Sequence, residues 1–206
     1  MTIDARIDPL GAFVEIAESF EGKDFEKDRA ELGALVCPEG PAAFVDFFAR
    51  PNVPGATNST CGVVARGLLV RALRAIGRSE LGGPLPFDWW SPVVALARDA
   101  GALRTGREMP VYGAIVYVAR TSPATGKLSQ HWRTIVKVEG FGRFETIDGG
   151  QLDVRGHGFQ AVRRNMVTMN GPTVSMTAFD VTAQKPVAQW IDTGTLLRAL
   201  APVCRA

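Results

Sequence analysis

From Pro9 to Phe20 the chain reads PLGAFVEIAESF, with Phe13, Ile16, Ala17 and Phe20 at helical spacing. DFEKDRAELGALV and PAAFVDFFAR continue in the same manner, so the N-terminal third is predicted to form a helical layer. The loop PNVPGATNST then leads into the longest periodic run of the chain. Val64, Leu68, Ala72 and Ile76 recur along one stripe, with Ala65, Leu69 and Leu73 beside them, while Arg66, Arg71, Arg74 and Arg78 take much of the rest. That is a helix with a wide buried face. Ser59 or Thr60 is its natural N-cap and Gly77 its C-terminal stop, which places Cys61 at the first or second helical position.

SPVVALARDAG predicts a short helix with Ser91 as N-cap, Pro92 at the first position and Gly101 past the end. The pattern then changes period. VYGAIVYVA is a near-continuous β run, and HWRTIVKVEG sets Trp132, Thr134, Val136 and Val138 against Arg133, Ile135 and Lys137. RFETID is a third strand, reached through a turn at EGFG, QAVRRNMVTM a fourth, and QWIDTGTLLRAL a strand followed by a helix capped at Asp192 or Thr193. Helices followed by consecutive antiparallel strands predict an α+β fold in which the Cys61 helix packs on an antiparallel sheet. The expected organisation is a single domain over 1–206: a helical extension at 1–54, a core at 55–170, and a strand and helix at 171–206.

Composition narrows the function classes. The 206 residues include 23 Lys and Arg against 21 Asp and Glu, a net charge of +2, so charge gives no reason to expect nucleic acid or a membrane surface as partner. The pair Arg163–Arg164 reads as solvated surface rather than a phosphate patch. No run of about 18 apolar residues occurs, so no transmembrane helix is predicted. The opening MTIDARIDPLGAFVEIAESF carries acids throughout and no apolar core, so the expectation is a cytoplasmic protein, or one exported without a cleaved signal. Cys37, Cys61 and Cys204 lack any CxxC spacing, which argues against a disulfide framework and a structural zinc site; no metal or cofactor is expected.

Cys61 has the most distinctive setting of the three cysteines. A thiol at a helix N-terminus meets the positive end of the dipole and unpaired backbone N–H groups, which favour thiolate and can hold an oxyanion. The bland alternative is a small buried hydrophobe, which suits Cys37 before Pro38 and Cys204 near the end. A nucleophilic cysteine needs a base, and the chain has only two histidines, His131 and His157. His131 opens a strand. A hairpin centred near residue 140 returns Asp148 to its side, where the carboxylate would orient the ring. His131 also reads as a strand-end surface residue and Asp148 as a turn former before Gly149–Gly150. His157, between glycines in RGHGF, is the alternative base.

STCGVVARGLL, PVYGAIVYV, HWRTIVKV and FETIDGGQ, in that order over about residues 55–150, resemble the papain-like cysteine hydrolases of the NlpC and CHAP type. The resemblance implies a papain-like fold and a Cys–His–polar triad cleaving amide bonds, often in peptidoglycan peptides. It carries Cys61 over as nucleophile, His131 as base and Asp148 as orienter. The pattern departs at Pro110-Val-Tyr-Gly113, where the family has Pro-Gly-Asp, and at Trp132–Arg133 after the histidine, where it has a small or aliphatic residue. Asn58, Gly62, Trp89, Trp90 and Trp132 are the expected substrate contacts, with Asn58 read chiefly as a cap. The expected partners are a peptide or peptidoglycan-fragment substrate and, for an antibacterial effector, an immunity or inhibitor protein. Two other readings stand: an acyltransferase or protein deamidase on the same triad, and a binding module with a structural Cys61.

Overall fold

The computed structural model describes residues 4, 7–24, 27–28, 30–31, 60–82, 90–121, 128–140, 142–151, 161–170, 173–178 and 181–201. The second and third helices expected in the N-terminal third, together with Cys37, Asn58, Trp89, His157 and Cys204, lie outside these residues.

Helix α1 (Pro9–Glu18) starts where Asp8 accepts from the backbone N–H of Gly11 at 2.8 Å, with Pro at the first position. Helix α2 (Thr60–Ala75) has Cys61 as its second residue. The predicted stripe is its buried face: Val64, Ala65, Leu68, Leu69, Ala72, Leu73 and Ile76 all enter the core. Arg66, expected on the solvent side, is buried too. Gly77 closes the helix with φ 76°, and Arg78 N–H bonds back to Leu73 C=O at 2.8 Å. Helix α3 (Trp90–Asp99) begins one residue before the expected cap, so Ser91 lies inside its first turn. Helix α4 (Thr193–Leu200) is capped by Asp192, which accepts from Thr195 N–H.

The strands are β1 (Leu103–Thr105), β2 (Ile115–Thr121), β3 (Leu128–Gly140), β4 (Arg143–Gln151), β5 (Ala161–Asn170), β6 (Thr173–Ala178) and β7 (Val181–Ile191). All pairings are antiparallel, in the order β1-β7-β2-β3-β4-β5-β6, with β7 also bonded to β6. That last pairing closes β2 to β7 into a barrel, because β7 pairs with β6 through Val181–Pro186 and with β2 through Val187–Ile191. The expected β run at Val111–Ala114 is instead a turn. Gly113 takes φ 77° and donates to Ile135 C=O, and β2 begins only at Ile115.

Closure creates two cores. One fills the barrel with Val116, Val118, Ile135, Phe144, Val167 and Trp190 among others. The other lies between the barrel's outer face (Ile115, Trp132, Val136, Ile147) and helices α1, α2 and α4. Arg164 ties α1 to the outside of the barrel by donating to Glu18, Glu21 and Glu145 at 2.7–2.9 Å. Arg164, read from the sequence as solvated surface rather than a phosphate patch, is a partly exposed residue at the centre of an ion-pair cluster.

Candidate functional site

The β3–β4 ladder runs to Thr134↔Ile147 and stops, although both strands continue, β3 back to Leu128 and β4 on to Gln151. Side chains alternate across β3. Trp132, Val136 and their neighbours face the helices, so His131, Arg133 and Ile135 face the barrel interior. The face expected to be polar and open to solvent is therefore an inward one: His131 is 8% exposed and Arg133 is buried. Lys137 escapes to the surface because a bulge falls between Ile135 and Lys137. On β4, Phe144 and Thr146 point inward, and Asp148 follows them on the same face at 0% exposure.

Above the last β3–β4 pair, three of the expected residues come together. Cys61, 1% exposed at the start of α2, lies close enough to His131 for its charge to raise the imidazole pKa. His131 Nε2 stands 3.7 Å from Asp148 Oδ2, an ion-pair distance that is longer than a hydrogen bond. Thr134 faces Ile147, so Arg133, one step back, is level with Asp148. Arg133 Nη1 donates to the same Oδ2, and Asn165 Nδ2, from β5, donates to it at 2.9 Å. Asp148 Oδ1 has no hydrogen-bond partner among the described residues.

Burial alone would push the imidazolium of His131 down; negative charge on Cys61 opposes that, Arg133 lowers it, and Asp148 raises it, leaving a net rise above the ordinary value of 6.5. Burial likewise favours the neutral Asp148. Arg133 first, then His131 and Asn165, overcome that and hold the carboxyl below 3.8. The cluster therefore favours an imidazolium beside a carboxylate.

Of the expected substrate contacts, Gly62 lies buried next to Cys61 in the first turn of α2, and Trp90 is the first residue of α3. Trp132 does not line an open cleft. It is 7% exposed, in the helix-side core, its ring 4.9 Å from that of Tyr117. Arg133 and Asn165 were absent from the sequence-based set. The one available signal for Arg133 was its place two residues after His131, which puts both on one face of the strand. Among the described residues no cluster of His, Cys, Asp and Glu could hold a metal ion, and no helix is long and apolar enough to cross a membrane. The chain matches no protein-family model, no curated protein and no solved structure.

Proposed function

We propose that the protein is a papain-like cysteine amide hydrolase, with Cys61 as nucleophile, His131 as acid and base, and Asp148 as the carboxylate behind the histidine. The observation that carries this reading is the proximity of Cys61, on the first turn of α2, to His131 on β3, near enough for negative charge on the thiol to favour the imidazolium. The Cys61 thiolate attacks the amide carbonyl, and backbone N–H groups at the start of α2, including that of Gly62, hold the oxyanion. The C–N bond breaks as the His131 imidazolium gives its proton to the leaving amine. Water, deprotonated by the now neutral His131, then cleaves the thioester to release acid and regenerate the thiol. The substrate class is a peptide or isopeptide amide, with peptidoglycan peptides the first to try. Acyl transfer to an amine in place of water and deamidation of a protein glutamine use the same first step, and product analysis separates them.

A second reading, a binding module with a structural thiol, is favoured by one fact: Cys61 is buried and belongs to the helix-side hydrophobic core. One experiment separates the two. Alkylation of the native protein is followed against pH by peptide mass spectrometry, with and without His131→Ala. The hydrolase reading requires Cys61 to react faster than Cys37 and Cys204, to titrate below the usual thiol value of about 8.5, and to lose that behaviour in the variant. A Cys61 that reacts no faster than the other two, or that ignores His131, leaves the binding module standing.

A further inference from the structure

Asp148 is asked to serve more than one cation. Arg133 and His131 stand two residues apart on β3 and share its inward face, so guanidinium and imidazole approach one carboxylate from the same strand. Both face the same atom, Oδ2. Asn165 adds a second donor to it from the opposite neighbour, β5. A carboxylate oxygen has two lone pairs in its plane, and here Arg133 and Asn165 occupy it at hydrogen-bond distance while His131 remains at 3.7 Å. The bidentate-capable guanidinium is the stronger competitor for a carboxylate, being planar and always charged.

We propose that Arg133 and Asn165 are positioning residues of the site: by holding Asp148 Oδ2 they keep the carboxylate at ion-pair distance from His131, so that Cys61 rather than Asp148 is the principal partner of the imidazolium. This rests on the Cys61–His131 pair being the reactive one. Its chemical sense is a division of charge. A carboxylate bonded directly to His131 would hold the proton on the ring and oppose its delivery to the leaving amine. Shared with Arg133, the same carboxylate orients the ring while giving up part of its hold on the proton. Among the described residues, the groups whose charge acts on His131 are Cys61 from α2, Arg133 from its own strand and Asp148 from β4, and their influences agree with this division: Arg133 disfavours the imidazolium, Cys61 and Asp148 favour it.

The test is an NMR titration of His131 in isotope-labelled protein. The chain has only two histidines, so His157→Gln leaves a single imidazole signal to follow. In that background, Arg133→Gln should raise the titration midpoint of His131 by about one pH unit, as the released carboxylate closes on the ring. Arg133→Lys keeps the charge and should restore a midpoint near the starting one. Asn165→Ala should raise it by a smaller amount. A midpoint that is unchanged or lowered in Arg133→Gln overturns the proposal. Should that variant fail to fold, Asn165→Ala decides: a rise supports the proposal and no change overturns it. Cys61→Ser, titrated alongside, tests the underlying pair separately, since a fall there upholds the Cys61–His131 contact whatever the Arg133 variants do.

Discussion

His131 Nε2 and Asp148 Oδ2 stand 3.7 Å apart across the top of the β3–β4 pair, close enough for charge to act and too far for a hydrogen bond. The carboxylate's short contacts go to Arg133 and Asn165 instead. Asp148 is therefore at once the third member of a candidate catalytic cluster and the counter-ion of a buried arginine.

Removing its charge should cost the fold as well as the site. Asp148→Asn keeps the shape and leaves Arg133 buried without its carboxylate, which typically costs about 3–5 kcal/mol. Urea unfolding of the variant measures it. A loss below about 1 kcal/mol would mean that Arg133 draws its compensation from elsewhere.

Stability should also depend on pH in a way these two groups dictate. His131 holds its proton more tightly in the fold than its ordinary 6.5, so its contribution is complete below 6.5 and is lost as pH rises from there through the raised value. Asp148 releases its proton more readily in the fold than at 3.8, so its contribution is complete above 3.8 and is lost as pH falls below it. Urea midpoints collected across pH should decline on both sides of that interval. Cys61→Ser should remove much of the alkaline decline, because negative charge on Cys61 is the largest influence raising His131. An alkaline limb unaltered in Cys61→Ser would separate the thiol from the histidine.

If the protein hydrolyses amides, His131→Ala should reduce turnover of a responsive substrate by about 10²–10⁴-fold, the usual worth of a positioned acid and base. Steady-state kinetics with the amine product as readout checks this, and an active His131→Ala would point to His157.

Gly142 carries the hairpin between β3 and β4. Its φ is 73°, its C=O accepts from Met169 N–H at 2.7 Å, and a Cβ there would meet Met169 O at 2.5 Å. Gly142→Ala should destabilise by about 1–3 kcal/mol through strain and clash together, read as a lowered urea midpoint. Arg164→Ala, by contrast, removes only partly exposed ion pairs, and should cost about 1 kcal/mol and less in high salt.

The elements that carry the site were legible because their signals are local. Polar residues before an apolar stripe marked the start of α2, and glycines between two alternating runs marked the β3–β4 turn, which brought Asp148 back beside His131. Closure of the barrel was not legible. It depends on β7 meeting both β6 and β2 across long separations, and Pro186 interrupts the strand pattern at the point where β7 changes neighbours. Without closure, the side of β3 bearing His131 and Arg133 looked like a solvent face. Nor does any local pattern distinguish Asn165, a polar residue in the run VRRNM, from a surface position; only the register Thr146↔Asn165 turns it inward.

The double engagement of β7 also orders events during synthesis. Its second half supplies β2 with a neighbour and its first half supplies β6 with one, so the seam closes only after Ile191 has left the ribosome. Cys61 and its helix emerge long before that. Until then the thiol exists without a closed barrel to hold His131 beside it, and a nascent chain halted before Val181 would carry Cys61 but not the assembled cluster. Formation of the Cys61–His131 pair follows that closure, tied to the slow, long-range pairing that such a topology requires.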